Sequence, residues 1–300
     1  MMKKHTVLYS IIILLLFFCF PEVIISSSTS YYFRTLGIND GLSQSTVNAI
    51  LQDQKGFMWI GTKDGLNQYD GQECRVFQKE NSSLGNNFIT ALYEDCEGYI
   101  WVGTDAGVYI YNPVQEAFQF LDTEIASSGE KITRAVTWIT SDSQNNIWIS
   151  VDNQGLFCYN RGKKNLTKVV SCGKSGIANV THFWFYAGQL WIARYEDNLY
   201  VSKDNSSFNA FNDVDGEDIF KGLVINSYVE GLHNCLYVGT SKGLMEINLT
   251  SRKVRKLLDE YVRDICFRSD TDLWIGTEQG LYIYNTLIPQ HYYKIFFLST

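Results

Sequence analysis

Seven side chains have the chemical types that bind a polar, ring-shaped ligand. Aromatic faces stack on sugar rings, whereas arginine and aspartate bind hydroxyl groups or a carboxylate. The competing interpretation is that the aromatic residues pack in the core, and Trp184 lies in an apolar run, THFWFYAG. The candidate ligand-binding residues are Trp138, His182, Trp184, Arg194, Tyr195, Arg263 and Asp264.

Catalytic and metal chemistry find less support. The turn SDSQNNIW (141–148) faintly resembles the Asp box of some glycosidases, but spacing alone assigns no acid and base pair. His182 and His233 lack a zinc-ligand pattern. No GxxxxGK[ST] or GxGxxG nucleotide loop occurs. We therefore predict no enzyme activity, no metal and no cofactor.

A repeated segment must position these residues. Strings such as MWIGTKDGLNQYD (58–70) and IWVGTDAGVYIYN (100–112) recur to LWIGTEQGLYIYN (273–285), six times in all, about forty residues apart. A period near forty with strand-like content is the signature of a β-propeller. The recurring aromatic residue is Trp59, Trp101, Trp148, Trp191, Tyr237 and Trp274.

Each repeat is interpreted as four strands, A to D. An Asp-to-Gly turn, such as Asp53–Gly56, follows strand A, and the WIGT segment is strand B. Blades stack on two neighbours, so a large aromatic in every B strand is predicted to be a wedge that fills the gap between them. The predicted fold is an all-β propeller of about six four-stranded blades, which looks like an incomplete seven-bladed one.

Comparison of the repeats locates the candidate residues. When the six repeats are aligned, each position of strand A forms a column of six residues. The second variable column holds alanine in the first two repeats, Trp138 and His182 in repeats three and four, and Asp264 in repeat six. Arg263 stands in the column before it. Strand A is expected to line the central channel. In repeats three and four the Gly-Thr of the B–C turn is lost, and Arg194 and Tyr195 enter. A ligand pocket at one mouth of the channel is therefore predicted.

The first 28 residues form a separate segment. Two lysines precede the apolar run from Val7 to Phe20, and small polar residues follow, in the order typical of a secretory signal. An uncleaved membrane anchor is the alternative. Residues 1–28 are thus predicted to be a signal peptide and 29–300 the propeller. The net charge of −7 argues against nucleic acid as a partner, and the later cysteines are interpreted mostly as small buried residues.

The segments 40–71 and 83–112 resemble the two-component regulator propeller repeat. The resemblance continues more loosely to residue 285. It implies the periplasmic sensor region of Bacteroides-type hybrid two-component systems, in which two propellers lead to a membrane helix, a histidine kinase and a receiver. It also implies a glycan-derived oligosaccharide as ligand. This sequence contains no kinase motif, so the signalling chemistry of the family is not expected in it.

The two ends of the chain bear on ring closure. YYFRTLG (31–37) looks like an extra D strand that could clasp the last blade, and HYYKIFF (291–297) is a plausible sixth D strand. We expect an open ring that awaits further blades, rather than a closed ring of six.

The function predicted is non-catalytic, periplasmic ligand sensing in a two-component system. The expected partners are an oligosaccharide and possible further blades, a second propeller or a homodimer partner. The alternatives are a propeller glycoside hydrolase or lyase, which would turn over its ligand, and a protein-interaction scaffold.

Overall fold

The structure, a computed structural model, describes residues 31, 33–169, 180–205, 207–288 and 292–295. The predicted signal peptide lies outside these residues. Tyr31 and residues 33–35 belong to a compact unit of their own, in which the rings of Tyr31 and Phe33 lie 6.4 Å apart. From Leu36 onward the chain forms a second unit. After a 3₁₀ turn at Ile38–Asp40, the regular structure described in that unit is β-sheet.

Six antiparallel sheets of four consecutive strands make up this second unit, and we call them blades one to six. Blades one to three contain β1 Val47–Gln52, β2 Met58–Thr62, β3 Gly65–Tyr69, β4 Cys74–Phe77, β5 Ile89–Glu94, β6 Ile100–Thr104, β7 Gly107–Asn112, β8 Ala117–Phe120, β9 Val136–Ser141, β10 Ile147–Val151, β11 Gly155–Asn160 and β12 Asn165–Lys168. Blades four to six contain β13 Val180–Tyr186, β14 Gln189–Arg194, β15 Leu199–Ser202, β16 Asn209–Ala210, β17 Ile225–Glu230, β18 Cys235–Thr240, β19 Gly243–Asn248, β20 Val254–Leu258, β21 Val262–Phe267, β22 Asp272–Thr277, β23 Gly280–Asn285 and β24 Tyr292–Ile295.

The blades pack face to face in chain order, as in a propeller. The first strand of each blade contacts the first strand of the next, so these strands lie innermost. Clusters of buried apolar residues fill the five interfaces between successive blades. The predicted all-β propeller with six four-stranded blades is confirmed.

The interface between blades depends on a glycine that receives a branched side chain. A methyl group placed on Gly103 in β6 would lie 2.7 Å from Cγ1 of Val136 in the next blade. At Gly61 the methyl group would lie 2.5 Å from Cγ2 of Ile89. Because no side chain fits there, strand B of one blade and strand A of the next approach closely.

The recurring tryptophans are the predicted wedges. Trp101 is 2% exposed, and its ring centroid lies 5.6 Å from that of Tyr159 in blade three. Its indole N–H donates to Asp95 Oδ2 at 2.7 Å, and Arg161 of blade three lies 2.9 Å from the same oxygen. The turn aspartate therefore satisfies a buried donor as well as shaping the A–B turn.

We call the contact between a strand-B glycine and the branched side chain of the next blade the glycine interlock. The outer flanks of blades one and six lack it. Val47 and Ile50 in β1 are 39% and 62% exposed, whereas Val136, the counterpart of Val47, is fully buried. At the other end, a methyl group on Gly276 would meet only the backbone of Asp264, at 3.5 Å. Among the described residues, then, blade six does not insert into blade one as the other blades insert into their neighbours.

The alternative of a clasp strand at 31–37 is not supported, because residues 33–37 form no strand. The edge of β23 is occupied by β24 of the same blade, with Leu281 opposite Ile295. The prediction of a sixth D strand within 291–297 is confirmed by β24.

The cysteines differ from the expectation of burial. The five in the described residues are free thiols; Cys96 and Cys266 are exposed, and the other three are partly buried. Cys96 lies in an A–B turn, where side chains face solvent. Among the residues described, we find no helix of the length and apolarity needed to cross a membrane.

We expect Trp101→Ala to lower the free energy of unfolding by roughly 3–5 kcal/mol, because it leaves a cavity between blades two and three. Urea denaturation followed by circular dichroism measures this change. A cost below about 1 kcal/mol would show that Trp101 is not a wedge.

The glycine interlock provides a matched pair of substitutions. Gly103→Ala should cost roughly 1–3 kcal/mol, because its methyl group overlaps Val136. Gly276→Ala, at the same position on the free flank of blade six, should change stability by less than about 0.5 kcal/mol. Equal costs in urea denaturation would contradict the open flank.

Candidate functional site

The first variable column of strand A connects neighbouring blades. Asn48 donates from Nδ2 to the carbonyl of Ile89 in blade two at 2.8 Å, and Asn226 donates to that of Val262 in blade six at 2.7 Å. Arg263 stands in this column in the last blade. Its guanidinium pairs with Glu278 at 2.5 Å and lies 4.7 Å from the ring of Tyr261, also in blade six.

Trp138 and His182 of the second column lie beside Trp184, which stands two residues further along strand A, and beside a fourth aromatic residue. The rings of Trp138 and His182 lie 4.6 Å apart, across blades three and four. Tyr228 of blade five stacks on Trp184 at 4.1 Å and lies 6.5 Å from Trp138. Tyr228 was not among the predicted residues, because a tyrosine in strand A looks like ordinary core. We call these four residues the axial cluster.

The axial cluster contains polar atoms without partners. The indole nitrogens of Trp138 and Trp184 and Nδ1 of His182 are buried and make no hydrogen bond within the described structure. Trp184 is 1% exposed, so direct contact with a ligand would require the stack to open. Its placement agrees with the core interpretation of THFWFYAG.

Burial also sets the charge of His182. Loss of hydration lowers the pKa of its imidazole to about 4, and a hydrogen bond to the Ile225 backbone offsets only part of this shift. The ring is therefore neutral at neutral pH. The neutral imidazole of His182 packs against the aromatic rings of the axial cluster, and its Nδ1 remains a hydrogen-bond acceptor without a partner in the described structure.

Arg194 and Tyr195 occupy the B–C turn of blade four. The Arg194 guanidinium is held by Asp197 at 2.9 Å and lies 5.6 Å from the ring of Tyr200. Tyr195 is 53% exposed, and the nearby charge of Glu196 raises the pKa of its hydroxyl. Tyr195 is thus an exposed aromatic ring at the end of the blade, whereas Arg194 stabilises the turn.

Tyr195 borders an open cavity of about 450 Å³ between blades three and four. The cavity lies at the B–C end of the strands, and we call it the mouth cavity. Thr137 and Thr181 line it and immediately precede Trp138 and His182, so it opens beside the axial cluster. Its lining residues are Thr137, Asp152, Asn153, Val180, Thr181 and Tyr195.

The altered B–C turns open the mouth cavity. In blade two Thr104 donates to the carbonyl of Gly107 at 2.9 Å and closes the turn. In blade three Val151 replaces this threonine and has no hydroxyl to donate. Ser150 replaces the preceding glycine, and its hydroxyl donates to the carbonyl of Val180 in blade four at 2.8 Å. The turn that follows therefore presents Asp152 and Asn153 to solvent.

Asp264 is not part of this group. It lies in blade six, where its carboxylate accepts from the backbone N–H of Ile265 at 2.8 Å. Burial raises the pKa of the carboxyl group. The structure therefore gathers Trp138, His182, Trp184, Arg194 and Tyr195 in blades three and four and leaves Arg263 and Asp264 in blade six.

A second cavity, of about 610 Å³, was missed by sequence reasoning. It lies between blades four and five at the opposite, A–B and C–D end of the strands, and we call it the outer cleft. Tyr186, Trp191, Lys203, Phe211 and Arg252 are among the residues that line it. The signal that could have located it is the short A–B turn of blade four.

Metal chemistry has no visible centre in the described parts of the chain, where no group of three or more histidine, cysteine or acidic side chains could hold an ion. The described histidines, His182 and His233, lie in blades four and five.

The turn 141–148 is an ordinary A–B turn: Asp142 accepts from the indole N–H of Trp148 at 2.9 Å. The resemblance of this turn to an Asp box therefore has a structural explanation.

Comparison with known proteins supports the repeat assignment. Residues 41–64, 83–106 and 256–279 match the two-component regulator propeller. A 53-residue segment is 40% identical to histidine kinase P4 of Formosa agariphila; it covers 18% of this chain and 4% of that kinase.

Two solved structures from B. thetaiotaomicron share the architecture. The extracellular domain of the hybrid two-component system BT3049 is 26% identical with a TM-score of 0.75, over 90% of this chain and 37% of that domain. That of BT4673 is 22% identical with a TM-score of 0.70, over 86% of this chain and 34% of that domain. The chain thus spans about a third of the length of these domains.

The buried histidine gives a prediction about pH. Between pH 6.5 and about 4 the unfolded chain binds a proton that folded His182 excludes, so wild-type stability falls as the pH is lowered. This contribution should reach roughly 2–3 kcal/mol. The stability of His182→Gln should depend less steeply on pH in this range, as measured by urea denaturation at several pH values. Parallel curves for the two proteins would contradict a neutral, buried imidazole.

Proposed function

Because the chain carries two-component regulator propeller repeats, we propose that it is the periplasmic ligand-sensing part of a two-component system. Its ligand is an oligosaccharide released from a glycan, and its output is a histidine kinase in the complete system. The fold, the repeat match and the extracellular relatives support this proposal. The signal segment in the sequence supports export from the cytoplasm.

The observation that carries the proposal is the mouth cavity. Blades one and two follow the repeat closely, whereas the B–C turns of blades three and four depart from it and open this cavity. Tyr195 offers an exposed ring face for a sugar, and Thr137, Asp152 and Asn153 offer hydroxyl, carboxylate and amide groups. Such a combination binds hydroxyl-rich rings without supplying a nucleophile and its base.

Signal transmission requires that binding alters contacts between the propeller and its neighbours. The exposed flanks of blades one and six are the surfaces on which further blades, a second propeller or a second copy of the chain would pack. Val47 and Ile50 mark the flank of blade one. An exposed apolar flank of this kind is typical of a protein interface.

Isothermal calorimetry against neutral tetrasaccharides of glucose, xylose, mannose and galactose tests the proposal. We expect saturable binding of at least one of them, with no product on chromatography. Tyr195→Ala should weaken this binding about tenfold, the loss of one stacking contact. Tyr99→Ala, at the opposite end of blade two, serves as the control and should bind normally.

Three outcomes would contradict the proposal. Product formation would support the hydrolase or lyase alternative. Binding that Tyr195→Ala leaves unchanged would exclude the mouth cavity as the site. Failure to bind any of the four sugars would contradict recognition of a neutral oligosaccharide by this propeller.

A further inference from the structure

The outer cleft has an origin that indicates its ligand. In blades one, two and three, an aspartate in the A–B turn accepts the indole N–H of the wedge tryptophan at 2.7–2.9 Å, from Trp59 to Asp53, from Trp101 to Asp95 and from Trp148 to Asp142. These three bonds share one geometry: a carboxylate oxygen enters the end of the blade and meets a buried donor.

Blade four keeps the tryptophan and loses the carboxylate. Its A–B turn is only Ala187 and Gly188, both with positive φ, and Tyr186 pairs directly with Gln189. Trp191 is 3% exposed, yet its indole N–H has no acceptor within the described structure. Ala187 of the short turn and Trp191 both line the outer cleft.

An unpaired buried N–H is costly, at about 1–3 kcal/mol. Water or a ligand oxygen that enters the cleft can recover this cost. The indole N–H of Trp191 therefore needs a hydrogen-bond acceptor, and in blades one to three that acceptor is a carboxylate.

Two cations line the same cleft in a protein of net negative charge. The Arg252 guanidinium lies 5.1 Å from the ring of Phe211 and donates to the carbonyl of Asn212 at 2.7 Å, so it is held in place. Lys203 lies on the lining from blade four. One carboxylate, Asp204, also lines the cleft and accepts from the hydroxyl of Ser202. The charged lining therefore keeps an excess of positive charge, which favours an anionic group over a neutral one.

The rest of the lining fits a sugar ring. Gln189 and Asn209 provide amide groups that both donate and accept, and the side chain of Tyr186 provides apolar surface. A ring with hydroxyl edges and C–H faces needs both kinds of surface.

We propose that the outer cleft binds a uronic acid residue, whose carboxylate takes the place of the missing turn aspartate and accepts the indole N–H of Trp191. Arg252 and Lys203 neutralise the charge of the bound carboxylate. This site is distinct from the mouth cavity and does not depend on the neutral-sugar binding proposed there.

Nuclear magnetic resonance of the seven tryptophan indoles tests the proposal directly. In ¹⁵N-tryptophan-labelled protein, the cross-peak that is absent from Trp191→Phe is assigned to Trp191. Titration with methyl glucuronide should move this cross-peak downfield and saturably, because the N–H gains an acceptor. The cross-peaks of Trp101 and Trp148, which are already bonded to aspartate, should stay in place.

Matched ligands and variants define the chemistry. Methyl glucoside at equal ionic strength lacks only the carboxylate and should leave the Trp191 signal unmoved. Sodium acetate should act at least tenfold more weakly than the glucuronide. Arg252→Gln should weaken glucuronide binding at least tenfold, whereas Arg255→Gln, whose arginine pairs with Glu246 outside the lining, should not.

Three results of these titrations would overturn the proposal. An unmoved Trp191 signal would exclude the site, and equal effects of glucoside and glucuronide would exclude carboxylate recognition. Equal effects of acetate and glucuronide would exclude recognition of the sugar ring. If Trp191→Phe does not fold, Arg252→Gln still decides the matter, since Arg252 is exposed. Normal glucuronide binding by Tyr195→Ala would separate this site from the mouth cavity.

Discussion

The close approach of strand B in one blade to strand A in the next is the constraint on which the structure depends. Gly61 and Gly103 leave room for Ile89 and Val136, and each pair brings two apolar flanks into contact. The contact also aligns hydrogen bonds between blades, such as that from Asn48 to the Ile89 carbonyl. In blade six, beyond which the described residues contain no further blade, Gly276 meets only its own blade, and Trp274 is partly rather than fully buried.

The same constraint explains where the repeat can vary. Blade three has Ser150 and blade four has Ala193 at or beside the interlocking position, and both are fully buried. Ser150 keeps the connection by bonding to the carbonyl of Val180. The adjacent B–C turns lose the threonine-to-glycine closure of the other blades, so they are free to carry Asp152 and Tyr195. Departures from the repeat are therefore tolerated where a polar bond or tight packing replaces the glycine contact.

Much of the fold could be predicted from the sequence, because blade packing repeats the same residues at nearly constant intervals. Trp59 and Trp101 were predicted as wedges, and both are buried. The candidate site was harder to predict. Asn48 stands in the variable column of strand A that holds the candidate Arg263, but its role is a bond to the neighbouring blade, and a single sequence does not show which carbonyl faces a side chain. The alternative of a clasp at 31–37 rested on β-type composition, and composition cannot identify an edge that another strand already occupies.

The outer cleft lies where blade four lacks the turn aspartate of blades one to three. The recurrence of Asp53, Asp95 and Asp142 makes the carboxylate part of the framework, so its loss beside Trp191 leaves a donor that the framework elsewhere satisfies. Trp191 in turn stacks on Trp184 at 5.9 Å, and Trp184 stacks on Tyr228 at 4.1 Å. Aromatic contacts thus run from the outer cleft to the axial cluster, beside which the mouth cavity opens.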